Sequence, residues 1–332
     1  MSDKPFRLGL IGAGRMGRTH LRALAESTRV SVTAIVEPAP AIRASFAGTA
    51  VKVYETVAEL LEARGVDGVL IAAPSDRHVE IVSLVASSGF PILCEKPCGL
   101  SSRENRVAAQ AVERHGVPFQ VAYWRRYVPA LRRLRDRIRA GELGDIHLYA
   151  SAQWDGQPPA AAFRAHSGGI FIDMGVHEFD QVRWLSGQEF GEIAAVSSPS
   201  SAAPGAESDV DSAQALAPMS GGASAFVSLG RYYPGGDMAR IEVFGSRDAV
   251  RCEFLAPNDG ERVQLAALAA QAEAFASFAA GGPATGATAA DAAAALLAAE
   301  RAWSAIQPLR PAAEMRPAAQ IASPGGASGA VG

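Results

Sequence analysis

Between Arg7 and Tyr123 short apolar runs alternate with stretches of helical spacing, and this constrains the chain more than any other feature. The apolar runs are Arg7–Ile11, Val30–Val36, Gly68–Ala72, Pro91–Cys94 and Pro118–Tyr123. A helix is expected to follow Gly17 as far as about Ser27, with others over Val57–Ala63, Val79–Ser87 and Ser101–Arg114. Strands joined by helices of this length build right-handed βαβ units and a parallel sheet.

After Tyr123 the pattern changes. Leu131, Leu134 and Ile138 keep helical spacing, and Gly141 is a natural stop. Strand-like stretches follow without regular crossover helices: Ile146–Gln153, Ile193–Ser197, Ser212–Leu216, Ala223–Leu229, Ala239–Phe244 and Ala249–Phe254. One helix near Phe171–Leu185 interrupts them, and two Ala-rich helices, near Leu265–Ala280 and Ala289–Ala305, close the unit. The expected architecture is an α/β N-terminal Rossmann domain over 1–123. An α+β substrate-binding and oligomerisation domain with a large, mostly antiparallel sheet follows over 124–306. Residues 307–332, rich in Pro, Ala, Gly and Ser, read as a low-complexity tail.

The first strand runs into Gly12-Ala13-Gly14-Arg15-Met16-Gly17. In this strand–loop–helix context Gly12 permits a tight turn. Gly14 lets backbone approach a pyrophosphate, and Gly17 lets the helix pack on the strand. The helix N-terminus adds N–H donors and a positive dipole. The second strand ends at Glu37, 20 residues after Gly17, where a ribose-binding acid is expected. A carboxylate there accepts ribose hydroxyls and repels a 2′-phosphate, and Ala39, Pro40 and Ala41 bring no arginine, so NAD is expected over NADP.

Composition narrows the remaining choices. The formal charge of −3 and the amphipathic period within the arginine-rich stretch from Arg125 to Arg139 argue against a nucleic-acid partner. No apolar stretch reaches the roughly 18 residues of a membrane span. The N-terminus carries no signal-like segment, and three cysteines make no disulfide framework, so a cytoplasmic protein is expected. Of the 31 basic residues only Lys4, Lys52 and Lys96 are lysines.

Hydride transfer from an alcohol needs a group that takes the hydroxyl proton. Cys94, Cys98 and Cys252 lack the spacing of a catalytic zinc site, and no metal is expected. A Tyr-x-x-x-Lys pair is absent, because Ile92 and Gly48 stand four before Lys96 and Lys52. Two clusters remain. Glu95-Lys96-Pro97 ends a strand on the ligand-binding edge of the parallel sheet. Asp173 and His177 stand four apart on an expected helix and share a face.

The chain resembles the Gfo/Idh/MocA family of sugar and cyclitol dehydrogenases over nearly its whole length. The resemblance rests on Gly12–Gly17, Ala73-Pro74-Ser75 with His78, Glu95-Lys96-Pro97, Trp124-Arg125-Arg126-Tyr127, and Ser167 through His177 with Glu178-Phe179-Asp180. It is most similar to the inositol 2-dehydrogenase branch. That implies Lys96, Asp173 and His177 as the catalytic set and a cis Lys96–Pro97 bond. His177 would be the general base. Asp173 would orient the imidazole or the substrate hydroxyl, and Lys96 would steady the reacting oxygen.

The resemblance further implies cofactor contacts from Gly12, Gly14, Arg15, Met16, Gly17, Glu37, Pro74, Ser75, His78, Glu95 and Lys96. Substrate contacts are expected from Lys96, Arg126, Trp154, Asp155, Asp173 and His177. His20 is expected to be structural, and His78 is expected either to pack against and bound the cofactor loop or to be a satisfied structural histidine. Many inositol-type relatives carry Arg-Asp-Pro where this chain has Trp154-Asp155-Gly156, and Asp where it has Val128. That points to a different polyol, a glycoside or an aminocyclitol. The expected activity is NAD-dependent oxidation of a secondary hydroxyl of a cyclitol or pyranose to a ketone, in a homo-oligomer (tetramer or dimer). The alternatives are a keto-reductase running in reverse, an NAD-dependent glycoside hydrolase and an NAD-sensing regulator.

Overall fold

The computed structural model describes residues 4–198 and 209–308. Its first sheet holds β1 (Phe6–Ile11), β2 (Val30–Val36), β3 (Lys52–Tyr54), β4 (Gly68–Ile71), β5 (Ile92–Cys94) and β6 (Phe119–Val121). All pairs are parallel and the order is β3-β2-β1-β4-β5-β6. The crossovers are α1 (Arg15–Leu24), α2 (Pro40–Ala44), α3 (Val57–Ala63), α4 (His78–Ser87) and α5 (Ser102–His115). β4 is buried throughout, as expected of a strand covered on both faces. Local chemistry sets the helix ends. Thr56 and Glu59 form a capping box on α3, and Ser101 accepts from Glu104 N on α5.

A 3-10 turn (Trp124–Tyr127) and α6 (Pro129–Arg139) lead to the second half. It contains β7 (Ile146–Trp154), α7 (Ala161–Arg164), a π-helical turn (Phe171–Gly175) and α8 (Val176–Ser186). Then come β8 (Ala194–Ser197), β9 (Ser212–Pro218), β10 (Ser224–Gly230), β11 (Met238–Gly245) and β12 (Ala249–Leu255). Finally α9 (Gly260–Ala279), α10 (Ala289–Ser304) and β13 (Ile306–Pro308) close the described chain. The sheet order is β12-β11-β7-β10-β9-β8-β13, antiparallel except for β10 on β7 and β13 on β8. Alternation gives the sheet two unlike faces. Tyr149, Ala225, Val227, Leu229, Ile241 and Val243 are buried on the helix side, whereas Leu216, Phe226 and Phe244 lie exposed on the other.

Four sequence expectations change here. β13 belongs to the sheet, so the segment after 306 is not simply a tail; residues 309–332 lie outside the described residues. β3, α2 and α7 are too short for periodicity to reveal. The helix near Phe171–Leu185 is broken into a π-helical turn and α8. Lastly, the Ala-rich helices do more than close the second unit. α9 packs on α1 as well as on β12, and α10 packs on α5 and α8. Small side chains such as Ala292, Ala295, Ala299 and Ala302, all fully buried, let these helix backbones approach closely.

Candidate active site

β1 and β4 are paired neighbours at the centre of the parallel sheet, and strand order reverses between them, which is where a ligand crevice opens in such folds. The glycine loop sits there, after β1. Gly12 has φ +96°, and a Cβ on it would lie 2.7 Å from the Ala72 carbonyl oxygen. A Cβ on Gly17 would lie 2.1 Å from the Gly12 carbonyl oxygen. Gly14, by contrast, would meet nothing within 4 Å, so its exposed backbone faces open space at the start of α1. That combination is a cradle that a pyrophosphate fits. Arg15 and Met16 open α1, whose first turn carries no acidic residue. Glu37 ends β2 with a buried carboxylate: Oε2 accepts from Ala13 N and Oε1 from Ala39 N, both at 2.9 Å. Two held oxygens keep lone pairs for a ribose. Pro74 and Ser75 follow β4 on the same sheet edge.

Lys96 follows β5 on that edge, and the Lys96–Pro97 peptide is cis. Its Nζ donates to the Asp173 carbonyl oxygen at 2.8 Å and lies 3.8 Å from Asp173 Oδ1. Asp173 is on the π-helical turn, and His177 is in the first turn of α8. Gly168 and Gly169, both at positive φ, bring the chain into this turn. A Cβ on Gly168 would lie 2.9 Å from Ile172, and one on Gly169 would lie 3.0 Å from the Trp303 ring. π-helical turns often mark functional positions. His177 is buried against the edges of Tyr123 and Trp124, with ring centroids at 6.0 and 6.4 Å. Burial, followed by the charges of Lys96 and Arg125, pushes its imidazole well below the ordinary 6.5. Nδ1 has no hydrogen-bond partner among the described residues. Asp155, just after β7, accepts from Gln153 Nε2 at 3.1 Å. Burial raises its pKa, and the carboxylates of Asp173 and Asp237 add to this.

Family models match both halves. An oxidoreductase family model with an NAD-binding Rossmann fold covers residues 6–123, and a GFO/IDH/MocA C-terminal domain model covers 131–251. The chain belongs to the GFO/IDH/MocA family. The rhizopine catabolism protein MocA of Rhizobium meliloti is 52% identical over 81% of this chain and 85% of its own. An inositol 2-dehydrogenase of Rhizobium meliloti (strain 1021) is 31% identical over 76% of each. The crystal structure of apo scyllo-inositol dehydrogenase from Lactobacillus casei superposes with a TM-score of 0.81 at 25% identity, covering 92% of this chain and 97% of that one. This GFO/IDH/MocA chain is therefore an NAD-dependent oxidoreductase acting on CH–OH groups, and the cradle described above fits its NAD.

Within this family member, four expected site residues lie elsewhere or do other work. Trp154 and Asp155 are neighbours at a strand end, so they point to opposite faces. Trp154 donates to Ser228 Oγ at 3.1 Å on the helix-free face, away from Asp173. Arg126 is buried and forked onto Asp180 (Nε–Oδ2 2.9 Å, Nη2–Oδ1 2.5 Å), with Nη1 3.3 Å from Asp291. Its donors face carboxylates of α8 and α10 rather than the cluster. Glu95 turns its buried carboxylate to His20 Nε2 at 2.7 Å and accepts from Lys96 N at 3.1 Å, tying α1 to the lysine loop. His78 places its two ring nitrogens 2.8 Å from the Pro97 and Ala73 carbonyl oxygens, bracing both loops from beneath.

Two arginines near the cluster escaped the sequence reading. Arg125 ion-pairs with Glu178 at 2.5 Å and reaches Gln153, while Ser151 donates to the other Glu178 oxygen. Arg231 follows β10 and meets Asp173. Alternation through Ala225, Val227 and Leu229 carries Arg231 onto the buried face, which was the available signal.

A structural role for Arg126 has a direct consequence. Arg126→Met leaves Asp180 buried without its partner, so unfolding in urea should show a loss of about 3–5 kcal/mol. NAD affinity and polyol KM of the folded protein should stay near the parent's. A selective rise in KM with unchanged stability would return Arg126 to the substrate site.

Proposed function

We propose that the chain oxidises one secondary hydroxyl of a cyclitol or closely related polyol to a ketone, with Lys96, Asp173 and His177 as its catalytic residues. The observation that carries this reading is the junction of Lys96 Nζ with Asp173 beside a desolvated His177. Bound NAD supplies the hydride acceptor. His177, neutral at pH 7, takes the hydroxyl proton. Lys96 donates to the reacting oxygen and steadies negative charge developing there. Asp173 holds Lys96 in place and balances its charge. Asp155, which follows β7 and accepts from Gln153 Nε2, is the acceptor assigned to a ring hydroxyl. Glu37 favours NAD over NADP by repelling a 2′-phosphate. The similarity to inositol dehydrogenases supports a cyclitol, and the similarity to MocA supports a compound of rhizopine catabolism as the second reading.

A panel of inositols, pyranoses and rhizopine, run with NAD and with NADP and followed by cofactor absorbance, tests this. NADH should form with at least one cyclitol, and turnover with NADP should be weaker. No turnover with any compound would sink the dehydrogenase reading. Lys96→Ala should lower kcat by about 10²- to 10³-fold while NAD still binds.

The pH profile tests the base. His177 in the folded protein releases its proton below pH 6.5, so it is already neutral at pH 6.5 and above. Activity should hold on acidification to that point, with the acidic limb of kcat/KM below 6.5. A limb above 6.5 contradicts the assignment.

We also propose that a second copy of the chain covers the helix-free face of the second sheet. Phe226 pairs directly with Leu216 across β10 and β9, and both are exposed along with Phe244. Sedimentation should find the parent larger than its 34.5 kDa monomer and Phe226→Lys shifted toward it. A monomeric parent removes the proposal.

A further inference from the structure

Asp173 is gripped from behind by a buried run of charges that a substrate cannot reach. Arg231 has 0% side-chain exposure, against 13% for Asp173. Its Nη1 lies 3.0 Å from Asp173 Oδ2, and its Nη2 lies 2.9 Å from Asp209 Oδ2. The Asp209 side chain is also fully buried. The same Asp209 oxygen accepts from Arg164 Nε at 2.9 Å, and Oδ1 accepts from Ile170 N at 2.8 Å. Arg164 continues to Asp211 Oδ1 at 3.0 Å, and the Asp211 carbonyl oxygen accepts from Arg231 N at 2.8 Å. Three carboxylates and two guanidinium groups thus alternate from the loop before β9 to the π-helical turn.

Stability alone is a poor reason for such a run. Apolar packing of the same volume is often as stable as a buried ion pair. What the run does achieve is geometric. Asp209 holds Ile170 N at the entry to the π-helical turn, and Arg231 holds the Asp173 carboxylate in its middle. With Oδ2 taken by Arg231, the Asp173 oxygens turned to Lys96 are Oδ1 and the carbonyl oxygen. A guanidinium keeps its charge at every working pH. It therefore anchors the carboxylate oxygen at every such pH.

We propose that Arg231, backed by Asp209, is a positioning residue for the reaction: it locks Asp173 so that Oδ1 and the carbonyl oxygen hold the Lys96 ammonium at the reacting oxygen. This deepens the dehydrogenase reading and rests on Asp173 and Lys96 acting in that site.

The test compares the parent with Arg231→Met and Arg231→Lys, using NAD and the best cyclitol from the panel. Arg231→Met should lose about 10- to 100-fold in kcat with NAD affinity unchanged, as expected of a catalytic group displaced by about an ångström. Its KM for the cyclitol should change far less than kcat, because the lysine is misplaced at the reacting oxygen while the binding contacts are kept. Arg231→Lys, which keeps the charge, should restore part of kcat.

A second readout needs no turnover. The chain has only Lys4, Lys52 and Lys96 as lysines, so amine labelling with trinitrobenzenesulfonate can be mapped cleanly by peptide mass. Lys96 should label several-fold faster in Arg231→Met than in the parent, with exposed Lys52 unchanged as the internal control. Should Arg231→Met fail to fold, Asp209→Asn, which keeps an acceptor for Ile170 N, should raise Lys96 labelling in the same direction. A parent inactive on every compound defeats the dehydrogenase reading while labelling still decides the role of Arg231. An active parent whose Arg231→Met variant matches it in kcat and Lys96 labelling overturns the proposal.

Discussion

One ammonium group joins the two halves of this molecule. Lys96 comes from the edge of the parallel sheet, and its hydrogen-bond acceptor, the Asp173 carbonyl oxygen, comes from a π-helical turn of the second half. Neither half makes the site alone. The junction depends on α9 lying against α1 and α10 against α5, so the Ala-rich helices set the distance between a lysine loop and an aspartate turn. The geometry of proton handling is thereby tied to interhelical packing far from the reacting atoms.

Beneath that junction the protein buries an unusual amount of charge. Arg125 with Glu178, Arg126 with Asp180 and Asp291, and Arg231 with Asp173 and Asp209 are all largely withdrawn from water. Each guanidinium must be desolvated, and each is repaid only in a fixed arrangement with its carboxylates. Such pairs are directional where apolar contacts are not. They fix the rotation of α8 and the seating of the π-helical turn, and therefore where His177 and Asp173 point. His177, desolvated among aromatic edges and cations, has its pKa held well below the ordinary value.

The nucleotide half was legible because its signals are local. Gly12, Gly14 and Gly17 each answer to a steric requirement within a few residues, and Glu37 follows from where the next parallel strand must end. Lys96, Asp173 and His177 were picked out through motif and resemblance, and the fold brings Lys96 and Asp173 into contact. Arg126, Glu95 and His78 each have a partner inside the fold that no local pattern announces: Asp180 and Asp291, His20, and two carbonyl oxygens. Trp154 was excluded by strand parity, since it and Asp155 cannot share a face. Arg231 is the converse case, a charge that continues a buried alternation and so had to meet an acid.

The sequence by itself determined the parallel βαβ order, the phosphate cradle and which side chains could carry proton chemistry. Those follow from short-range sterics and from the functional groups themselves. Only the tertiary structure decided which of two adjacent arginines faces the histidine, which face of β7 belongs to the site, and what stands behind Asp173. Ion pairing in a dry interior is settled between residues far apart in the chain, as with Arg125 and Glu178 (|i−j| = 53) or Arg231 and Asp173 (|i−j| = 58). No local pattern encodes which carboxylate a buried guanidinium will meet, because that choice is made by packing.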